Sequence, residues 1–374
     1  MNGLIPPPDP LGIPAPYPIF QVLYWITFVL HLIFMNYVLG GMVMVTLHEW
    51  FTPRNATAIR ANALMLKLMP VSLSLAITMG VAPLLFVQVL LGNFFYTANI
   101  MMSGWWLGMI GLVIAAFYLI YILIARRRSE NQSSALHKIG SLVVTLLLLA
   151  TAWIFTNNAV LVEHPKYWQD IHTGAKWILA PDPSLWPRYL HNLFGAAAVA
   201  GLVCAVIGRY RLRYHADDAE LGTHLIRRGI FWAMHAVVIQ IITGIIYIYS
   251  WEIEITRAFM GNGILFTGWA IGFFAVMGAL VCLILALVKT DKPMLIWGAV
   301  GLTFVTLLGM TMGRELLRLV SLAPYIKLQD LPLRPSYSSL LLFLITFLLG
   351  LGILAYLLRL VWTLPREESE SKQA

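Results

Sequence analysis

Residues 264–288 read ILFTGWAIGFFAVMGALVCLILALV, a stretch without a single charged side chain. An α-helix of roughly 20 apolar residues crosses the hydrocarbon core of a bilayer, so this stretch is long enough to span a membrane. The strands of a membrane barrel alternate apolar and polar residues over roughly 10 positions, and no such alternation is seen here. The stretch therefore predicts a transmembrane α-helix.

Similar apolar runs fill most of the chain. Of its 374 residues, 60% are hydrophobic and 11% are charged, and the mean hydropathy of +0.79 lies outside the range of soluble domains. We predict an all-α polytopic membrane helical bundle of about nine transmembrane helices over residues 19–363, with an extracytoplasmic loop at about 161–188. The predicted spans are 19–47, 64–92, 103–125, 138–160, 189–208, 229–250, 264–288, 293–320 and 338–363.

The basic residues predict the orientation of this bundle. An extracytoplasmic N-terminus places most of the 25 lysines and arginines on the cytoplasmic side, in short loops. The net charge of +8 is then a topology signal, and we expect no nucleic acid as a partner. We predict a multi-pass protein of a bacterial or archaeal cytoplasmic (inner) membrane. A Pro-rich arm (1–18), which does not read as a signal peptide, lies outside, and a tail (364–374) lies in the cytoplasm.

Few ionisable side chains lie at membrane depth, and each is a functional-site hypothesis. His31 lies within the first span, His191 opens the fifth, His235 lies in the sixth, and Arg314 ends the eighth. A buried imidazole either makes a hydrogen bond to a neighbouring helix or ligates haem iron, and both readings stay open. Three such histidines favour haem, and an arginine suits a haem propionate. The cysteines form no C-x-x-C-H motif, so a haem would be held non-covalently.

Four segments resemble subunit I of the cytochrome bd quinol oxidases. They are FVLHLIFMNYVLGG (28–41), AWIFTNNAVLVEHPKYW (152–168), RYLHNLFGAAAVAGLVCAVIGRY (188–210) and TMGRELLRL (311–319). The resemblance implies that His31 and His191 are ligands of haem iron and that Arg314 lies close to haem propionates. Trp153 falls in the family's tryptophan and asparagine stretch of the fourth span. The implied cofactor is haem b, in one or two copies, with a quinone as a possible further ligand.

The departures from the family pattern bear on function. The third span, GWWLGMIGLVIAAFYLIYILIA, has none of the family's glutamates, and the long quinol-binding loop is reduced to SWEIEITRAFMGNG. A haem-ligating glutamate of the family is matched by Thr311, between Met310 and Met312, so Met312 is a candidate replacement ligand. Met260 matches the family's methionine opposite the fifth-span histidine. Acids fall almost entirely outside the apolar runs, so we expect no oxygen reduction at the rates of a bd oxidase.

These observations favour a haem b-containing membrane subunit of a respiratory complex. It would transfer electrons between the quinone pool and a partner redox subunit such as a c-type cytochrome. The alternatives are a divergent bd-type terminal oxidase subunit I and a haemless membrane anchor or scaffold of a respiratory complex. The resemblance also implies a second membrane subunit. In the outer loop, Trp168, Trp177 and Trp186 predict an interfacial belt or a docking surface for an extracytoplasmic subunit.

Overall fold

The structure, a computed structural model, describes residues 5–51, 55–129, 135–174, 180–214, 216–289 and 292–363. The predictions for residues 1–4 and 364–374, and for Trp177, lie outside these ranges. Within them the chain is almost entirely helical, and the only β-type pairing is an isolated bridge between Ile13 and Leu333. The all-α prediction is confirmed.

Eleven α-helices are present in the described part of the chain, and nine of them are long and apolar enough to cross a membrane. The chain is therefore a multi-pass membrane protein. The short helices α5 and α8 are the exceptions. In chain order the helices are α1 (Tyr17–Phe51), α2 (Ala56–Met101), α3 (Ser103–Ser129), α4 (Ala135–Glu163), α5 (Trp168–Gly174), α6 (Leu185–Tyr214), α7 (Ala219–Tyr249), α8 (Ile253–Met260), α9 (Gly263–Val288), α10 (Pro293–Leu322) and α11 (Tyr337–Thr363).

Consecutive long helices run in opposite directions, so each end of the bundle collects alternate helix ends. We call the end at which α1, α6 and α9 begin the outer side, after its predicted orientation, and the other end the inner side. The helices extend beyond the predicted spans. For example, α7 begins at Ala219 and not near residue 229, because its first turns pack on neighbouring helices although they carry charged residues.

The helix α2 is too long for a single straight span, since its 46 residues would measure about 69 Å. It contains Pro70 and Pro83, and its backbone leaves helical geometry at Leu91, where φ is −138° and ψ is 31°. This break lies next to residue 92, where the predicted apolar span ends. The turns beyond it continue toward Met101 on the outer side.

Close backbone contact holds two of the helix pairs together. A Cβ added to Gly201 of α6 would lie 2.5 Å from the backbone nitrogen of Ala233 on α7. A Cβ added to Gly272 of α9 would lie 2.8 Å from Cα of Gly309 on α10. Small residues allow such approach between membrane helices, where van der Waals packing stabilises the pair. These positions fix how α6 meets α7 and how α9 meets α10.

The N-terminal arm packs against the segment that connects α10 to α11. The Ile13 nitrogen donates a hydrogen bond to the Pro332 carbonyl at 2.8 Å, and the Arg334 nitrogen donates to the Ile13 carbonyl at 2.9 Å. Gly12, with φ of +68°, makes the turn into this pairing.

The membrane-spanning part of α11 buries no residue within the described chain, so α11 lies at the periphery of the bundle.

Candidate functional site

His31 is fixed by the neighbouring helix α2. Its Nδ1 lies 2.7 Å from the Ala76 carbonyl oxygen, and one helical turn further along α2 is Gly80. A Cβ at Gly80 would lie 2.9 Å from His31 Nδ1, so the glycine leaves a notch that the imidazole occupies. The ring also stacks on Phe28, with 6.0 Å between ring centroids.

His191 on α6 is held in the same way by α7. Its Nδ1 lies 3.0 Å from the Gln240 carbonyl oxygen, and Gly244 follows one turn later. A Cβ at Gly244 would lie 3.0 Å from both Nδ1 and Cε1 of His191. Tyr247 stacks on the ring, with centroids 6.4 Å apart. Two helix pairs, α1 with α2 and α6 with α7, thus hold an imidazole by one shared arrangement.

This arrangement determines which nitrogen of each ring is available to a ligand. A backbone carbonyl only accepts hydrogen bonds, so Nδ1 carries the proton and Nε2 carries the lone pair. Neither Nε2 makes a hydrogen bond to any residue in the described ranges. A histidine that ligates a metal typically donates its other N–H to a carbonyl or carboxylate, which fixes the ring. The environments of His31 and His191 therefore fit histidines that could ligate haem iron.

Arg314 lies near the aromatic rings that stack on the two histidines. Its guanidinium stands 4.7 Å from the centroid of Phe28, the ring that stacks on His31. It is also within electrostatic reach of His31, Glu163 and Tyr247. Arg314 is half-buried and has no ion-pair partner among the described acids. A half-buried guanidinium with free donors fits a carboxylate ligand such as a haem propionate.

A buried ion pair lies at the outer ends of α4 and α6. Arg188 donates two hydrogen bonds to Glu163, of 2.6 and 2.8 Å, and both side chains are almost fully buried. The Arg188 guanidinium also lies over Tyr247, 6.0 Å from its centroid, and Tyr247 stacks on His191. The predicted loop at 161–188 gave no indication of this pair. In the structure α4 continues to Glu163, so a buried acid lies near the histidine site after all.

A second buried pair lies on α10. Glu315 and Arg318 form an ion pair, and the Arg318 guanidinium stands over Tyr24 of α1 at 5.0 Å. Together with Glu163 and Arg188, the outer part of the bundle holds two paired carboxylates and two paired arginines. Arg314 belongs to neither pair, so its guanidinium remains available to an anionic group.

Trp153 is placed in a different cluster. It packs on Trp186, with centroids 4.2 Å apart, and makes an edge contact with Tyr189 at 5.1 Å. Tyr189 and His191 are two positions apart on α6, which turns their side chains about 200° from each other. Trp153 therefore lies against the opposite face of α6 from the one that holds His191. A cofactor contact of Trp153 remains a prediction from the resemblance.

The three methionines considered as haem ligands have different surroundings. Met260 ends α8 with 57% of its surface exposed, whereas the preceding Phe259 is buried. Met312 packs against α9, where a Cβ at Gly268 would lie 2.5 Å from its Sδ. Met310 is half-buried on another face of α10. The role of these methionines as haem ligands remains a prediction.

His235 differs from the other two histidines. It lies on an exposed face of α7, and its Nδ1 is bonded to the Phe231 carbonyl of its own helix at 2.7 Å. Its ring packs on Phe231 at 4.1 Å. Among the described residues, the imidazole is bonded only to its own helix, and we do not include His235 in the candidate site.

Trp168 and Trp186, the two outer tryptophans within the described ranges, have different surroundings. Trp168 is 1% exposed, packs on Phe94 and donates to the Leu161 carbonyl at 2.9 Å. The prediction that it lies at an interface or docking surface is therefore wrong, because the turn after α4 folds it into the core. Trp186 is exposed, as that prediction requires.

The similarity of this chain to known proteins lies in its fold. No protein family model matches the sequence, and no curated protein matches it. A solved structure described as that of bd oxidase from Geobacillus thermodenitrificans is similar, with a TM-score of 0.73. The match covers 93% of this chain and 98% of that chain, at 13% sequence identity. The chain thus has a bd oxidase-like fold, as the resemblance of its short segments predicted.

Proposed function

We propose that this protein is a haem b-containing subunit of a respiratory membrane complex that transfers electrons between the quinone pool and a partner redox subunit, such as a c-type cytochrome. The observation that carries the proposal is the shared setting of His31 and His191. Each imidazole donates Nδ1–H to a carbonyl of the next helix, rests in a glycine notch and keeps Nε2 free of protein partners.

Each side chain has a defined role in this proposal. His31 and His191 would hold haem iron through Nε2, while the carbonyls of Ala76 and Gln240 orient their rings. Arg314 neutralises and positions a propionate. A bound haem supplies a one-electron carrier whose potential depends on its axial ligands, burial and nearby charge. The apolar helices exclude water from the site.

The location and partners of the complex extend the same proposal. The basic residues support a bacterial or archaeal inner membrane, with the N-terminus outside, so the histidine site lies toward the extracytoplasmic face. That position suits an extracytoplasmic electron-transfer partner. The bd oxidase-like fold supports a second membrane subunit. A quinone is the membrane-borne redox partner, although its binding residues are not assigned.

A divergent terminal oxidase is the second candidate, and the buried carboxylates of Glu163 and Glu315 favour it. They provide buried ionisable groups in the outer part of the bundle. Against it, α3 contains no acid, and the acids of the described chain lie toward the ends of helices or in loops. A haemless scaffold, in which the imidazoles only bond neighbouring helices, is the third reading.

Haem content and a reduced-minus-oxidised spectrum of the purified protein test the proposal. We expect b-type absorption bands in the wild type, and loss of one haem signal in His31→Ala and in His191→Ala. His235→Ala is the matched control and should keep the full spectrum. A folded wild-type protein without b-type bands would leave only the scaffold, and unchanged spectra in both histidine variants would remove these two residues as ligands.

A further inference from the structure

Three polar side chains are buried in succession on the last two turns of α10. Glu315, Arg318 and Ser321 are 1%, 6% and 8% exposed, and each is three positions from the next, so neighbours lie side by side. Glu315 and Arg318 bond to each other, but each of the three side chains also has one buried atom without a hydrogen-bond partner in the described chain. These atoms are Oε1 of Glu315, Nε of Arg318 and Oγ of Ser321.

Buried polar atoms without partners are costly, and native proteins commonly satisfy them with ordered water. The three atoms belong to residues within about 9 Å along one helix. They begin beside Arg314 and end one residue before the outer end of α10 at Leu322. A row of bound waters along these turns would join the histidine site to the outer aqueous phase.

The two buried carboxylates of this region differ in their remaining hydrogen-bonding capacity. Both oxygens of Glu163 accept hydrogen bonds from Arg188. Glu315 uses only Oε2, for Arg318, and Oε1 has no partner among the described residues. Glu315 is therefore the carboxylate with an oxygen available to bind a proton or a water.

We propose that this row is a hydrated proton-exchange path and that Glu315 is its proton carrier. When one electron arrives at the group held by His31, Glu315 Oε1 binds one proton delivered by water from the outer side. The proton returns when the electron leaves. The electron donor is a quinol or, in the experiment, a redox mediator. The inference rests on the proposed function, since it requires a redox group at His31.

Other charged and titratable groups lie around this carboxylate. Arg314 and Arg318 lie on its own helix. On α1, Tyr24 lies under the Arg318 guanidinium and stacks on Phe28, which in turn stacks on His31. Glu163 of α4 is within electrostatic reach of both Arg314 and Arg318, and Arg188 of α6 is bonded to Glu163. Among them, Glu315 alone combines a charge that a proton can neutralise with an atom that lacks a protein partner.

The test is a potentiometric titration of the haem signal that is lost in His31→Ala, repeated across neutral pH. Proton uptake with reduction makes the wild-type midpoint potential fall as pH rises, by up to about 59 mV per pH unit. Glu315→Gln should lower this slope at least twofold. Glu49→Gln, which removes a buried acid on the inner side, should keep it. A wild type without a slope, or Glu315→Gln with an undiminished slope, would overturn the inference while the haem assignment stands.

Radiolytic labelling of the wild type tests the water row without relying on haem or on a variant that folds. Bound water generates hydroxyl radicals beside otherwise inaccessible side chains. Tyr24 and Tyr37 are equally buried, each 3% exposed, but only Tyr24 lies beside Arg318. We expect several-fold stronger labelling of Tyr24. Equal labelling would refute the hydrated path. Absence of haem in the same preparation would instead refute the proposed function.

Discussion

Replacing Gly244 with alanine tests whether the notch beside His191 positions the imidazole. The new Cβ would lie 3.0 Å from both Nδ1 and Cε1 of His191. Favourable contact between carbon atoms occurs at about 3.5–4.0 Å, so the ring must move by roughly half an ångström or more. Gly244 touches no ligand in the proposal, and its effect must therefore pass through the histidine.

The cost follows from the two contacts that such a shift disturbs. The Nδ1 hydrogen bond to Gln240, 3.0 Å long, would stretch to the limit of hydrogen-bond geometry, at a loss of about 1 kcal/mol. Overpacking contributes about 1–3 kcal/mol. If about 2 kcal/mol appears as weaker haem binding, the affinity falls about 30-fold. Loss of a group that orients a metal ligand typically costs roughly 10- to 100-fold.

Transfer of haem from the purified protein to an excess of apomyoglobin measures this loss. Gly108→Ala on α3 is the matched control, because no atom lies within 4 Å of a Cβ added there. We expect faster and more complete haem transfer from Gly244→Ala and no change in the control. A Gly244→Ala protein with wild-type transfer and an unaltered spectrum would show that the position of His191 does not depend on this notch. The inference that a glycine notch prepares both histidines for haem would then be refuted.

Three further predictions concern the buried pair, the outer loop and oxygen chemistry. Glu163→Gln should lower the free energy of unfolding by about 3–5 kcal/mol, because it leaves Arg188 buried without its partner. Thermal unfolding measures this loss, and the double replacement Glu163→Gln/Arg188→Met should recover much of it. Burial alone would raise the pKa of Asp182, but the nearby His164 charge and local hydrogen bonds hold it below its usual value. This carboxylate therefore stabilises the outer loop above about pH 4 and loses that contribution only in stronger acid; hydrogen exchange of the loop should show the acid-induced opening in the wild type and not in Asp182→Asn. A Clark-electrode assay with reduced quinol should record little oxygen consumption by haem-loaded protein, and rapid consumption abolished by His31→Ala would establish the oxidase alternative.

The membrane spans could be predicted because each depends on a property of its own residues. Apolar length alone decides whether a segment crosses a bilayer, and the nine predicted spans correspond to nine helices of the described chain. Helix ends could not be located as well. The first turns of α7 include Arg228, which is buried and donates a hydrogen bond to Asn62 at 2.6 Å. A search for apolar runs does not detect a helical turn that buries a charged residue.

The site could be predicted only in part, because its remaining features depend on pairs of distant residues. His31, His191 and Arg314 stood out as ionisable groups at membrane depth. Glu163 did not, because its burial depends on Arg188, 25 positions away. The same limit applies to Trp168. From the sequence alone, a charged or aromatic residue that follows a span is predicted to be exposed, because the residue that buries it is distant in the chain.

The groups that hold the two imidazoles also bear on how this fold tolerates sequence change. Ala76 and Gln240 act only through their carbonyl oxygens, which any residue supplies, so neither position requires a particular side chain. Gly80 and Gly244 are more demanding, because any Cβ meets the ring. The setting of each histidine thus depends on one imidazole, one glycine a turn beyond a helical carbonyl, and apolar surroundings. Such requirements specify few residues of the sequence, so the setting of each histidine can be kept while most other positions change.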